Sequence, residues 1–224
     1  QIKELNLYVI GLGNVGSKLL EQIRQQEKYL SKNLHLKIRI MGISNSKKMI
    51  LSENPINLKD WKLSLQNGVN TNRDLFFKHI KSKNFRNSIF IDNTASELIS
   101  KEYSRYLNNS IGVVTCNKIA CSDELKNYKK LKFISRKFNS PFLFETNVGA
   151  GLPLIDTLNN LIASGDRIIK IQAVLSGSLN YIFNNFKKGE SFSDIVKKAE
   201  KLGYTEPNPK IDLSGVDVAR KILI

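Results

Sequence analysis

The stretch LNLYVIGLGNVGSKLL, residues 5–20, decides the fold of this chain. Its first six residues form an apolar run with the length and composition of a buried strand. The turn GLGNVG follows at once, and Leu19, Leu20 and Ile23 then recur at helical spacing. A strand, a glycine-rich turn and a helix in this order predict the opening unit of a parallel α/β sheet.

The glycine turn predicts a dinucleotide site, because it has the pattern G-x-G-x-x-G between a strand and a helix. Gly11 permits the tight turn, Gly13 lets the backbone approach a pyrophosphate, and Gly16 lets the helix pack close to the sheet. We expect these glycines, with Asn14 and Val15 between them, to contact the cofactor at the positive end of the helix. A glycine-rich turn without a ligand is the alternative.

The end of the second predicted strand, 35–44, indicates which dinucleotide is preferred. An NAD site usually has an acid there that binds the ribose 2′-hydroxyl, but this chain reads SNSKK. Hydroxyl, amide and ammonium donors suit a 2′-phosphate, so NADP is favoured over NAD. Ser44, Lys47 and Lys48 are the candidate contacts, and a polar loop that touches nothing is the alternative.

The alternation of strands and helices extends to residue 148. Further strands are predicted at 88–92, 111–115 and 141–145, and helices at 73–83, 97–107 and 123–138. This pattern is typical of a Rossmann-type, doubly wound parallel sheet in an NAD(P)-binding domain at 1–148. Residues 149–224 have a different pattern, with helices at 152–165, 178–187 and 192–202 and a long strand at 167–176, which predicts a partial α+β substrate and dimerisation domain.

Composition narrows the class of protein. The chain has 224 residues, of which 41% are hydrophobic and 25% charged, as in an ordinary soluble globular protein. There is no apolar run of membrane-spanning length, and the two cysteines suggest free thiols in a reducing cytoplasm. The net charge of +15 comes from scattered lysines, which favours a solvated basic surface over a nucleic-acid interface.

The stretch GYTEPNPKIDLSGVDVARK, residues 203–221, holds the densest set of polar side chains. Its prolines predict a rigid, extended loop at 204–210. Ser214 is then a plausible N-cap of a following helix. Asp217 and Lys221 lie four residues apart on that helix and therefore share one face.

These charges suggest an active site. By itself the Asp217–Lys221 pair would be an ordinary surface ion pair, but Glu206 and Asp212 arrive beside the same helix start. In a nicotinamide enzyme a lysine ammonium stabilises the charge on a reacting oxygen and supplies its proton. Carboxylates would hold a substrate ammonium group or orient the lysine. A further lysine, Lys118, follows a predicted strand at the edge where ligands bind in such sheets.

The chain resembles homoserine dehydrogenase, especially the dehydrogenase half of bifunctional aspartokinase–homoserine dehydrogenases. The resemblance rests on VIGLGNVGS (9–17), GISNSKK (42–48), DNTAS (92–96), VVTCNK (113–118), ETNVGAGLP (145–153), LSGSLNYIF (175–183) and the stretch 203–221. It implies reversible NAD(P)-dependent reduction of L-aspartate 4-semialdehyde to L-homoserine, in threonine, methionine and isoleucine biosynthesis. It also implies a homodimer or higher homo-oligomer.

The resemblance assigns roles to individual residues. Lys221 would be the catalytic acid/base and Asp217 its partner, Lys118 a nucleotide-site and substrate-adjacent lysine, and Glu206 and Asp212 the groups that hold the substrate amino group. Further positions would contact the cofactor (Thr94, Gly203) or a sodium ion (Glu145, Val148, Ala150, Leu152), and carbonyl oxygens suit such a hard cation.

Some positions depart from the family pattern. Ile119 replaces a common lysine, and Asn208 replaces an aspartate. The family also continues beyond the catalytic helix, so we expect the chain to be incomplete at its C-terminal side.

Three other readings remain open at this point. One is a fragment of a bifunctional enzyme, and another is a semialdehyde dehydrogenase with Cys116 or Cys121 as nucleophile. The third is a non-catalytic Rossmann module that binds nucleotide or nucleic acid.

Overall fold

Strand β1 (Lys3–Ile10) forms where its apolar run predicts, and its last five residues are buried. The computed structural model describes residues 2–187, 189–205 and 209–224, with only the backbone of Ile211. In it, β1 pairs in parallel with β2 (Leu36–Ser44) on one side and β5 (Ser88–Asp92) on the other. The stretch that opens the sequence is therefore central to the sheet.

The sheet has seven strands in the order β4-β3-β2-β1-β5-β6-β7. The other four are β3 (Lys48–Leu51), β4 (Val69–Asn70), β6 (Gly112–Thr115) and β7 (Phe142–Leu143). Register places Ile10 beside Ser44 and Asp92, and Asp92 beside Thr115. The carboxyl ends of four parallel strands therefore meet at one edge, which is where ligands bind in such sheets.

The antiparallel strands β3 and β4 were not predicted. The chain reverses between β2 and β3 in a short turn, where Asn45 Oδ1 accepts hydrogen bonds from the backbone N–H groups of Lys47 and Lys48 at 2.8 and 2.7 Å. Because of this side-chain turn, β2 and β3 form a hairpin where the sequence predicted only a loop. It fixes the backbone of the polar SNSKK segment.

Helices cover the sheet as the alternating pattern predicts. They are α1 (Asn14–Leu34), α2 (Trp61–Gln66), α3 (Arg73–Lys83), α4 (Glu97–Ser100), α5 (Tyr103–Leu107) and α6 (Leu125–Lys137). One core cluster joins Leu7 and Val9 of β1 to Leu20 of α1. A second set is aromatic, with the rings of Phe90 and Tyr106 stacked at 3.9 Å. The single helix predicted at 97–107 is wrong, because two short helices occupy that range.

Residues 145–224 form a second unit, separate from residues 1–144. It begins with a 3-10 turn (Glu145–Asn147) and contains α7 (Leu154–Ala163), α8 (Gly177–Asn185), α9 (Phe192–Lys201), α10 (Pro209–Leu213) and α11 (Val216–Leu223). Its buried core cluster is small and consists of Ile182, Ile195 and Ala199. Across the described parts of the chain, no helix combines the length and hydrophobicity that a membrane span requires.

The strand predicted at 167–176 is wrong. Every residue of this segment is described, and none is in a strand; Ile169 is 93% exposed. A strand needs partners for its backbone hydrogen bonds, and the described residues of the second unit contain no other strand to pair with it. The apolar alternation is real, but it is not enough to form a sheet.

The start of the last helix also differs from the prediction. Gly215, rather than Ser214, occupies the N-cap position of α11, in a left-handed conformation with φ 72°. The loop predicted to be extended up to residue 210 instead enters α10 at Pro209, because proline is well suited to the first helical position. Glu206 and Pro207 lie outside the described residues.

Candidate functional site

The glycine turn joins the ends of three strands. Gly11 has φ 87° and donates its N–H to the Ser44 carbonyl at 2.9 Å. A Cβ on Gly16 would lie 2.0 Å from the Gly11 carbonyl oxygen, and one on Gly11 would lie 2.7 Å from the Thr94 methyl carbon. Side chains at Gly11 and Gly16 are therefore excluded by close packing within the protein.

Gly13 is different, because a Cβ there would meet no described atom within 4 Å. It is the N-cap residue of α1, and no side chain among the described residues caps that helix end. The first N–H groups of α1 thus have no side-chain acceptor there. Beside the turn, Asn93 Nδ2 is buried with no hydrogen-bond partner among the described atoms. Open backbone and unsatisfied donors at a helix N-terminus are what a phosphate group requires.

The SNSKK segment lies next to this turn. The Ser44 hydroxyl is fully buried and donates to the Asn45 carbonyl at 3.0 Å, so its contact to the turn is through its backbone carbonyl. Lys47 is exposed and Lys48 is partly buried. The two lysines are therefore accessible to different degrees, whereas the serine holds the loop.

A buried carboxylate, Asp92, organises the two loops beside the turn. Its Oδ1 accepts the Thr94 N–H at 2.7 Å. Its Oδ2 accepts the Tyr103 hydroxyl at 2.6 Å and the Asn117 amide at 3.1 Å. Burial and the Asp92 charge raise the pKa of Tyr103 far above its ordinary value. Tyr103 therefore stays protonated and remains a hydrogen-bond donor.

The sequence did not point to this network, although Asp92 ends one predicted strand and Asn117 closely follows another. Thr94, a predicted cofactor contact, has its N–H bound to Asp92 and its methyl group close to Gly11. Lys118, which directly follows Asn117, is partly buried. The structure thus brings Thr94 next to the glycine turn and places Lys118 on the neighbouring loop.

Cys116 lies in the same loop as Lys118. Burial, followed by the Asp92 charge, raises the pKa of its thiol, and this outweighs the opposite effect of Lys118. Cys121 is buried. A nucleophilic cysteine needs a lowered pKa, so the environment of Cys116 argues against the cysteine-nucleophile reading.

In the second unit, Lys221 is held by two groups. Its Nζ lies 2.7 Å from Asp217 Oδ2 and donates to the Leu175 carbonyl oxygen at 2.8 Å. Its side chain is only 18% exposed. The predicted i,i+4 pair therefore exists, and the second group, a backbone carbonyl 46 residues away, fixes the ammonium further. The lysine is thus less exposed than in an ordinary surface pair, while Asp217 remains 45% exposed.

Asp212, on α10, accepts a hydrogen bond from the Ser178 hydroxyl at 2.8 Å. Ser178 is buried at the start of α8. Because Leu175 precedes the same helix, the start of α8 contacts two of the predicted catalytic and substrate-binding residues. Glu206, the other predicted substrate ligand, is among the residues that are not described.

Gly203 ends α9 with φ 74°, and Tyr204 N–H donates to the Ala199 carbonyl at 3.0 Å. This is a helix-terminating motif that requires a residue with a left-handed backbone conformation. The end of the helix therefore explains the glycine at position 203 without any cofactor.

The loop assigned to sodium contains a carboxylate with both oxygens engaged. Glu145 Oε1 accepts Ile155 N–H at 2.9 Å, and Oε2 accepts Asp156 N–H at 2.8 Å. Glu145 is therefore the N-terminal cap of α7. Of the other candidates, Val148 is buried, Ala150 is exposed, and the Leu152 carbonyl accepts Leu154 N–H at 2.9 Å.

Taken with the sheet order and the glycine turn, this geometry defines a Rossmann-type nucleotide-binding protein with a second unit that carries a partly buried lysine. Family models agree with both parts. Residues 11–145 match the homoserine dehydrogenase NAD-binding domain, and residues 153–224 match the homoserine dehydrogenase family. The chain belongs to the homoserine dehydrogenase family.

Individual relatives give the same result. The chain is 44% identical to a bifunctional aspartokinase/homoserine dehydrogenase of Buchnera aphidicola, covering 99% of this chain and 27% of that protein. It is 42% identical to the homoserine dehydrogenase of Schizosaccharomyces pombe, covering 98% of this chain and 60% of the relative. The chain thus spans less than two thirds of the length of each of these proteins.

A solved structure is also similar. A hyperthermophilic archaeal homoserine dehydrogenase in complex with NADPH superposes with a TM-score of 0.82 at 25% identity, covering 99% of this chain and 68% of that one. The likeness spans both units.

Proposed function

We propose that this chain carries the dehydrogenase reaction of its family, the reversible NAD(P)H-dependent reduction of L-aspartate 4-semialdehyde to L-homoserine. The observation that carries the proposal is the partly buried ammonium of Lys221, held by Asp217 and the Leu175 carbonyl. Membership of the family supports it independently. Homoserine dehydrogenase stands in the names of both the bifunctional and the single-function relative, so the proposal concerns the activity common to both names.

Lys221 acts on the reacting oxygen of the substrate. Reduction of the aldehyde places negative charge on that oxygen, and a nearby ammonium group both stabilises the charge and donates the proton. Asp217 holds the ammonium in position through the ion pair at 2.7 Å. The Leu175 carbonyl limits the directions that Nζ takes. Lys118, on the loop after β6, takes the nucleotide-site and substrate-adjacent role that the resemblance to the family implies.

Asp212 binds the substrate ammonium group in this proposal, together with Glu206. Both homoserine and aspartate semialdehyde carry an α-ammonium, and a carboxylate is the side chain that recognises it by charge and hydrogen bonding. Ser178 already bonds to Asp212, which supports a fixed orientation of the carboxylate.

The first unit would hold the nicotinamide cofactor, which supplies the hydride when bound. The fit rests on Gly13, which has open space around it, and on the uncapped helix end beside it. In the same proposal the cofactor is contacted by Gly11, Asn14, Val15, Gly16, Thr94 and Gly203. Ser44 shapes the loop, while Lys47 and Lys48 favour the 2′-phosphate of NADP over NAD.

A sodium ion in the 145–152 loop would take backbone oxygens. Because both carboxylate oxygens of Glu145 already cap α7, we assign its carbonyl, with those of Val148, Ala150 and Leu152, as the ligand set. We further propose a cytoplasmic homo-oligomer, consistent with two free cysteines.

The direct test is oxidation of L-homoserine by the protein expressed from its complete coding sequence, because the relatives are longer than this chain. Absorbance at 340 nm would report NADPH or NADH formation at alkaline pH. The proposal expects homoserine-dependent turnover, faster with NADP than with NAD. Absence of turnover with either cofactor in a folded, complete protein would overturn it.

A further inference from the structure

A pair of serines opens α8 and links the helix to Asp212. Ser176 Oγ accepts the Leu179 N–H at 3.1 Å and so caps the helix. Ser176 Oγ lies 3.0 Å from Ser178 Oγ, and Ser178 donates to Asp212 Oδ1 at 2.8 Å. A chain of hydroxyls therefore runs from the helix cap to the carboxylate.

A similar pair of serines opens α9, and within the described part of the chain no hydrogen bond joins it to a carboxylate. Ser191 is the N-cap residue of α9, and its Oγ lies 2.8 Å from Ser193 Oγ. Ser193 is exposed, whereas Ser178 is buried. The second pair thus provides an internal comparison, because it has the same spacing and helix position but lies at the surface and does not cap its helix through a side chain.

Helix α8 also contacts the described segments that precede residue 206 and follow residue 208. The ring of Tyr181 stacks on Tyr204 at 4.5 Å with an interplanar angle of 16°. Ser178 bonds to Asp212 in the second of these segments. Helix α8 therefore contacts the chain at Tyr204 and again at Asp212.

We propose that Ser178 is a positioning residue, whose hydroxyl sets the orientation of the Asp212 carboxylate toward the ammonium group of an amino-acid substrate. The inference rests on the proposed function. Asp212 lies on a helix of only five residues, which by itself does little to restrict the side chain. A buried hydroxyl donating to a carboxylate holds one oxygen in place, and hydrogen bonds to charged groups are the stronger class.

The experiment compares Ser178→Ala, Ser178→Thr and Ser193→Ala in the protein from the complete coding sequence. Initial rates are measured against homoserine and against NADP. Ser178→Ala should raise KM for homoserine about tenfold and leave KM for NADP within about twofold, since one hydrogen bond to a charged group is lost. Ser178→Thr, which keeps the hydroxyl, should restore KM, and Ser193→Ala should not change it.

A double variant measures the energetic coupling between Ser178 and Asp212. Asp212→Ala should raise KM for homoserine more than Ser178→Ala does, and Ser178→Ala should add little in its presence, because both act through one carboxylate. Full additivity of the two effects would overturn the proposal. So would an unchanged KM for homoserine in Ser178→Ala when the parent enzyme is active, and that result would leave the proposed function intact.

A crystal structure of Ser178→Ala separates the two ideas if the parent protein shows no turnover. The proposed function would then fail, and the Asp212 side chain alone would decide the positioning role. A changed rotamer of Asp212 supports the role, and an unchanged rotamer overturns it.

Discussion

The two units hold their polar side chains by different means. In residues 1–144 a central sheet buries Asp92 completely, and the loops beside the glycine turn bond to it. In residues 145–224 the described buried core is a small cluster, and the charged side chains are held by contacts between short helices. The first unit uses its core to fix a binding surface, whereas the second uses hydrogen bonds to fix individual charged groups.

This difference predicts whether a mutation changes folding stability or enzymatic activity. Removing a polar group from the first unit takes a partner from a buried network, so folding stability should fall. Removing one from the second unit leaves the small core intact and changes the chemistry instead. The predictions below test this division, beginning with the largest effect.

Lys221→Ala should lower kcat about 10³-fold, because general acid catalysis and charge stabilisation are lost together. Homoserine oxidation at 340 nm measures it, and the midpoint of thermal unfolding should change little. Lys101→Ala is the matched control, because Lys101 forms an i,i+4 pair with Glu97 but has a side chain that is 64% exposed. Equal activity losses in the two variants would contradict the division.

Gly16→Ala should destabilise the first unit by about 3 kcal/mol, since the new Cβ would lie 2.0 Å from the Gly11 carbonyl oxygen and force the backbone apart. Urea unfolding followed by circular dichroism measures the change. A Gly16→Ala protein as stable as the parent would show that the helix does not pack against the turn as described.

Tyr103→Phe should cost about 2 kcal/mol of unfolding free energy, because Asp92 loses a buried donor. Tyr8→Phe is the control. Its hydroxyl is also buried but has no hydrogen-bond partner among the described atoms, and burial raises the pKa of Tyr8 to about 12. Removing that hydroxyl should be neutral or stabilising. Similar losses in both variants would mean that burial alone, and not the Asp92 network, sets the cost.

Lys47→Ala should raise KM for NADP about tenfold and change KM for NAD little, because one charged contact to a 2′-phosphate is lost. Steady-state rates with each cofactor measure the ratio. Lys32→Ala is the control, because Lys32 lies in the last turn of α1, at the end of the helix away from the glycine turn. A parallel change with both cofactors would assign Lys47 to the shared part of the dinucleotide and weaken the NADP preference.

Much of the first unit could be predicted because its signals are local. The apolar run before Gly11 and the helix spacing after Gly16 are both visible within a few residues. The same holds for the Asp217–Lys221 pair, which follows from helix geometry.

What the sequence did not reveal depends on distant partners. The Leu175 carbonyl has no residue type that marks it, and Ser178 meets Asp212 only after folding. The strand predicted at 167–176 failed for the same reason, because a strand depends on a neighbour that the pattern cannot supply. The Asp92 network was missed because its members come from separate strands, helices and loops.

The central claim is that nucleotide binding resides in the first unit and chemistry in the second. Fluorescence titration of NADPH into Lys221→Ala and Gly13→Ala tests it most directly. Lys221→Ala should bind NADPH as the parent does while lacking turnover. Gly13→Ala should fold normally, because its Cβ meets no described atom within 4 Å, and yet bind NADPH at least about tenfold more weakly, because it crowds the pyrophosphate. Normal binding by Gly13→Ala together with lost binding by Lys221→Ala would contradict the account.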